Sequence, residues 1–193
     1  MIIKTAEFLT SVANEKNLPE FNKPEFAFVG RSNVGKSSLI NALCNRKKLA
    51  KTSSLAGRTR LINFFEINRE LLLVDLPGYG FAKASKTEQA KWQSLIGSYL
   101  SGSHNLKLVF VLVDIRHEPT ELDKLMLNYL YQYNISFVVV ATKLDKIKKS
   151  QIQKQKLLVS SSLGIGVDNI ILSSQVDKLG LDEIWQVIES QIK

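Results

Sequence analysis

The stretch Gly30-Arg31-Ser32-Asn33-Val34-Gly35-Lys36-Ser37 constrains this chain more than any other. An apolar run, Phe26 to Val29, leads into it, and a helix-like run, Ser37 to Leu43, leads out. A strand that feeds a helix through Gly-x-x-x-x-Gly-Lys-Ser is a loop suited to phosphate. Its glycines let successive N–H groups turn inward, and the helix N-terminus adds partial positive charge. Lys36 is placed to neutralise β- and γ-phosphate oxygens, and the Ser37 hydroxyl to ligate Mg²⁺. The pattern specifies a nucleoside triphosphate and leaves the base open.

A second apolar run, Leu71 to Val74, ends in Asp75-Leu76-Pro77-Gly78. An acid at the tip of a buried strand, before a Gly turn, is the arrangement in which a carboxylate supports Mg²⁺ and a glycine N–H contacts the γ-phosphate. The base is read further on, at Thr142-Lys143-Leu144-Asp145. A carboxylate accepts two hydrogen bonds from N1–H and the 2-amino group of guanine, donors that adenine lacks. The aliphatic stem of Lys143 can lie over the purine. Ser174, after the short apolar run Ile170 to Leu172, is expected to offer a backbone N–H to guanine O6.

Between these loops the pattern alternates. Strands are expected at 25–29, 61–68, 70–75, 107–113, 137–140 and 170–172, with Asn68-Arg69 joining the second and third as a hairpin. Helical stripes run through Trp92 to Leu100, Leu122 to Tyr133, Lys146 to Leu158 and Leu181 to Ile188. Strands alternating with helices predict a mostly parallel six-stranded sheet with one antiparallel edge strand and helices on both faces. Ligands in such sheets bind at the carboxyl ends of the strands, where every loop above falls. Residues 1–23 read as an N-terminal extension covering the domain, and 24–193 as the domain itself.

Composition narrows the rest. With 193 residues, of which 45% are hydrophobic, one domain with a real core is expected. No apolar run approaches the ~20 residues of a membrane span, and Met1 to Glu7 lacks a signal-peptide layout. The lone cysteine, Cys44, suits a reducing cytoplasm and reads as core filling. Net charge is +8, which favours a polyanionic partner. Basic residues gather at 46–51 with Arg58 and Arg60, and again at 143–156. RNA phosphates fit both clusters, and no sequence-reading RNA module accompanies them.

Taken together, Gly30–Ser37, Gly57-Arg58-Thr59, Asp75–Gly78, Thr142–Asp145 and Ser173-Ser174 stand in the order of the five nucleotide motifs of Ras-like GTPases. The longer strings Gly-Arg-Ser-Asn-Val-Gly-Lys-Ser-Ser (30–38) and Asp-Leu-Pro-Gly-Tyr-Gly-Phe-Ala (75–82) resemble the EngB family of bacterial GTPases over nearly the whole chain, as do Thr52-Ser-Ser54 and Val113-Asp-Ile-Arg-His117. The resemblance implies a Ras-like fold, an EngB-type G domain over 24–193, GTP binding and hydrolysis, Mg²⁺, a role in assembly of the large ribosomal subunit, and normal septum formation in cell division. By the same resemblance the nucleotide is held by Gly30 to Ser38, Gly57 to Leu61, Asp75 to Gly78, Thr142 to Asp145 and Ser173 to Gln175. Thr59 would join Ser37 and Asp75 at Mg²⁺ when GTP is bound, giving a two-state loop. Lys36, Thr59 and Gly78 would carry catalysis.

One departure matters. Tyr79 stands where Ras-like proteins keep a glutamine that orients water, so slow intrinsic hydrolysis is expected. Asn33 occupies the position at which some relatives hold K⁺. A monomer working on the large subunit and its rRNA is the implied picture. Two rivals stand beside it: a septation factor whose GTP state recruits proteins, and a phosphate-loop kinase. The kinase would need an arginine-rich lid that the chain lacks and would not need a guanine reader.

Overall fold

A computed structural model describes residues 1–50, 61–79 and 86–192, with backbone alone at 86–93. Seven strands form one sheet in the order β1-β3-β4-β2-β5-β6-β7. These are β1 (Ala6–Val12), β2 (Glu25–Gly30), β3 (Ile62–Ile67), β4 (Leu71–Asp75), β5 (Leu106–Asp114), β6 (Phe137–Thr142) and β7 (Ile170–Leu172). The helices are α1 (Lys36–Leu43), α2 (Lys86–Gly102), α3 (Glu121–Gln132), α4 (Ile152–Leu163) and α5 (Leu181–Ser190). β4, β2, β5, β6 and β7 run parallel, and β3 runs antiparallel to both of its neighbours.

The central strands read as unbroken apolar runs because both faces are covered. Phe26 and Phe28 of β2 join Leu71, Leu73 and Phe110 beneath α1 and α5. Ala27 and Val29 point the other way and join Leu72, Val74 and Val111 beneath α2, α3 and α4. Fully burying one such leucine or phenylalanine contributes about 1.5–3 kcal/mol. Cys44 sits in the α1 cluster, 1% exposed, and burial pushes its thiol up to about 12, which leaves core filling as its role.

Two features depart from the sequence reading. The sheet has a seventh strand, because residues 6–12 pair antiparallel with β3 instead of lying over the domain as cover. The Asn68-Arg69 hairpin is present with both residues left-handed, at φ 53° and 61°. Asn68 does more than turn the chain. Its side-chain oxygen accepts from Lys4 N (2.7 Å) and Thr5 N (3.1 Å), and its amide donates to Ile2 O (2.8 Å). The turn thereby fastens the start of β1. The second departure is in the basic segment after β6, where two single turns of 3-10 helix (Leu144–Lys146 and Lys149–Gln151) precede α4.

Candidate functional site

β2 ends at Gly30, where a Cβ would come 2.8 Å from the carbonyl oxygen of Leu112 on the neighbouring strand; only glycine fits. The chain then turns through Asn33 (φ 64°) and Gly35 (φ 105°), a conformation that favours glycine, and enters α1. Gly35 is the helix N-cap and provides no side-chain cap, so the first N–H groups of α1 remain available to an anion. Ser37 is half-buried there, and Ser38 and Arg31 face solvent.

Lys36 opens α1, and its ammonium is paired with Asp75 Oδ1 at the end of β4. The pair is buried, at 8% and 2% exposure. Register explains the meeting: Asp75 lies opposite Phe28, two residues before the loop. Leu76 and Pro77 are buried and shape the turn, while Gly78 packs against the backbone of Ser32. Tyr79 then joins the phosphate loop directly. Its N–H donates to Gly30 O (3.2 Å), and Ser32 N donates to its carbonyl (3.0 Å). The Tyr79 hydroxyl donates to Asp123 Oδ1 (2.8 Å), whose other oxygen accepts from the N–H and hydroxyl of Thr120, both at 2.7 Å. Burial, reinforced by Asp123, raises the phenol well above its ordinary value.

The base end is built on β6 and β7. Thr142 is wholly buried, with its hydroxyl 2.7 Å from Val34 O in the phosphate loop and 3.1 Å from Val113 O on β5. Lys143, at φ 63°, donates to Asn33 O (2.7 Å) and pairs with Asp114 Oδ2 (2.9 Å). The two loops, 108 residues apart at Thr142 and Val34, are thus stitched together twice. Asp114 is itself gripped at two points by Arg116, at 2.9 and 2.7 Å. Burial raises the Asp114 carboxyl, but Arg116 and Lys143 outweigh it and hold the group well below the usual carboxylate range. A cavity of about 260 Å³ opens between Arg31–Val34, Asp114, Arg116–Pro119 and Lys143.

Asp145 faces Lys146 at 3.1 Å through Oδ2 and the Ser174 hydroxyl at 3.1 Å through Oδ1. Its carboxyl is raised by burial and lowered by both of these partners, with a net downward shift. Ser174, the expected contact to guanine O6, lies beside Asp145. Its N–H donates to Leu179 O (3.2 Å), and its hydroxyl contacts Asp145 and Asp177. Gln175 reaches the phosphate loop, since a Cβ on Gly35 would meet its Oε1 at 3.8 Å. The Gln175 Nε2 and Ser173 Oγ atoms are buried without a hydrogen-bond partner among the described residues. Leu144 donates its N–H to Ser173 O (3.1 Å), holding the two base-end loops together.

The donors near the phosphate loop, the Ser37 hydroxyl and the Asp75 carboxylate, are hard oxygen ligands of the kind Mg²⁺ takes with phosphate and water. Among the described residues no cluster of three His, Cys, Asp or Glu side chains forms a self-sufficient metal site. The expected positions Gly57, Arg58, Thr59 and Arg60 lie outside the described residues; Leu61 sits half-buried just before β3. Two residues escaped the sequence reading of the site, Asp114 and Asp123. Each acts through a partner, Lys143 and Tyr79.

A family profile described as "50S ribosome-binding GTPase" matches residues 25–143. The "Probable GTP-binding protein EngB" of Geobacter metallireducens is 50% identical over 189 residues, covering 98% of this chain and 93% of the relative. That of Clostridium acetobutylicum is 51% identical over 193 residues, covering 100% and 96%. A crystal structure of a probable GTP-binding protein engB superposes with TM-score 0.74 at 25% identity, over 87% of this chain and 98% of that one. Aquifex aeolicus Era bound to GDP.AlF4- shares the fold at TM-score 0.70 and 23% identity, over 90% and 58%.

Proposed function

The chain belongs to the EngB family of GTP-binding proteins and is a GTPase of that family; from this premise we propose a guanine-nucleotide switch that works in assembly of the large ribosomal subunit. The observation that carries the reading is the double stitch between Thr142-Lys143 and the phosphate loop at Val34 and Asn33. It joins the segment read as the base reader to the segment read as the phosphate holder.

In this reading the N–H groups from Gly30 to Ser38 wrap the phosphates, and Lys36 turns from Asp75 toward the β,γ-bridging region as negative charge arrives. Ser37, Thr59 and Asp75 would hold Mg²⁺, which supplies charge neutralisation at the β- and γ-oxygens when bound. Gly57 to Leu61 respond to the γ-phosphate, and the Gly78 N–H senses it. Asp145 accepts from guanine N1–H and the 2-amino group. The Ser174 N–H, which meets Leu179 O in this structure, would turn to guanine O6. Lys143 is held at its ammonium by Asn33 O and Asp114, so its stem lies as a fixed strip for the purine.

Hydrolysis transfers the γ-phosphoryl group to water, with GDP leaving. Tyr79 contributes no water-orienting group, since its hydroxyl is committed to Asp123. Intrinsic turnover is therefore slow and depends on a group from outside, with Asn33 as the place where K⁺ would add charge. Turnover is expected to be faster in KCl than in NaCl, and equal rates would remove the K⁺ role. Residues 24–193 act as the G domain and residues 1–23 as its extension. In this reading the protein acts as a cytoplasmic monomer that is also needed for normal septation. No helix among the described residues is long and apolar enough to cross a membrane.

The experiment is co-sedimentation with ribosomal subunits in a non-hydrolysable GTP analogue or GDP, at low and physiological salt. Analogue-dependent binding to the large subunit that survives physiological salt is expected. Binding that is indifferent to nucleotide and lost with salt is mere charge attraction, and would favour a GTP-dependent protein-recruiting factor in septation.

A further inference from the structure

Two clusters of basic residues on the described surface differ in what explains them. Arg46, Lys47 and Lys48 are exposed just past the C-terminal end of α1. Cations are the favoured sign there, because the last carbonyls of a helix carry partial negative charge. That cluster is accounted for by local stability. It also lies at the far end of a helix that begins at the phosphate loop, and so points away from the nucleotide pole.

Lys146 is paired with Asp145, but Lys148, Lys149, Lys154 and Lys156 have no such account. They precede and enter the first turns of α4, where the macrodipole opposes positive charge. α3 and α5 follow the rule, with Glu121 and Asp123 in one first turn and Asp182 and Glu183 in the other. α4 has no acid in its first turn and no side-chain cap. The chain carries no Asp or Glu from Lys146 to Val167. An edge that accumulates the unfavoured sign, uncompensated along its own length, is suited to an anion from outside. Its position adds direction, because Lys146 lies 3.1 Å from Asp145 Oδ2 and joins the edge to the guanine-reading loop. The segment has no aromatic side chain, so it can follow a backbone without stacking bases.

We propose that the Lys146–Lys156 edge grips the phosphate backbone of RNA beside the base-reading loop. This rests on the reading above, in which ribosomal RNA is the partner, and gives it a surface. The contact is independent of RNA sequence and sensitive to salt.

The test measures binding of the full-length protein, loaded with a non-hydrolysable GTP analogue, to a labelled transcript of large-subunit ribosomal RNA across a salt series. Each lost phosphate contact flattens the slope of log affinity against log salt by about 0.7 on single strands. Replacing Lys148, Lys149 and Lys154 together by Gln is expected to flatten it by about 2, and replacing all three by Arg to leave it intact. Gln at Arg46, Lys47 and Lys48 is expected to change it little. A wild type that binds while the edge variant matches it, or while the 46–48 variant loses more, overturns the edge and leaves the RNA partner standing. A wild type that ignores the transcript removes both. Preference of the edge for phosphatidylserine vesicles over the transcript also overturns it.

Discussion

At the phosphate end, Lys36 and Asp75 are two buried charges that face each other. At the base end, Asp145 and Lys143 are partly exposed, and each is held by further groups: Ser174 and Lys146 on one, Asp114 and Asn33 on the other. The first arrangement ties function to stability, because removing one partner strands a charge in a dry place. The second separates them. Its residues meet water and have several partners, so their replacement changes what is bound more than whether the chain folds.

The largest effect expected from this contrast is at Lys36. Lys36→Ala should remove measurable nucleotide affinity and leave Asp75 uncompensated, at a cost of about 3–5 kcal/mol. For a chain of this length that corresponds to a melting temperature lower by roughly 6–20 °C. Titration calorimetry and thermal unfolding read the two effects; an unchanged melting temperature would mean that the pair is not structural. A smaller effect belongs to the stitch between the ends. Thr142→Val keeps the shape and leaves the carbonyl of Val34 short of a donor, about 1–1.5 kcal/mol, or roughly tenfold in affinity. The loss should be the same for every guanine and xanthine nucleotide, because geometry and not base identity is disturbed. A change in base preference would place Thr142 among the readers.

The smallest effect is on the pH dependence of stability. Asp114 is held below its ordinary value in the folded chain by Arg116 and Lys143, against burial. The folded state therefore binds fewer protons at this group than the unfolded one. The stability it contributes is whole above the ordinary value of 3.8 and drains as pH falls through the lower folded value. Asp114→Asn is expected to flatten the acid limb of an unfolding curve taken from pH 5 downward. An acid limb as steep as that of the wild type would show that the ion pairs contribute nothing net.

The parallel half of the sheet and the phosphate loop were legible because their requirements are local. Leu71 to Val74 has to be apolar on both faces, and Gly30 has to lack a Cβ because of Leu112. β1 was not legible. It is an edge strand with Phe8 and Leu9 turned outward, at 51% and 37% exposure, which blurs the alternation that marks a strand. What fixes its start is Asn68, more than sixty residues later. The same holds in the site. Thr142–Asp145 could be proposed as the base reader from its context, at a strand end after a phosphate loop and before Ser173-Ser174, whereas Asp114 and Asp123 acquire meaning only when folding brings them to Lys143 and Tyr79. The bridge between Ser174 and Leu179 that follows β7 was equally invisible, because its two halves meet only when the loop after β7 turns back.

The central claim is that a carboxylate on the β6 loop selects guanine. It is tested most directly by measuring the affinities of wild type and Asp145→Asn for GTP and xanthosine triphosphate side by side. Two charge-assisted hydrogen bonds are lost to GTP, so a weakening of about a hundredfold or more is predicted, with xanthosine triphosphate bound more tightly than by wild type and the melting temperature unchanged. GTP affinity equal to that of the wild type would contradict the assignment and with it the frame that joins base and phosphate.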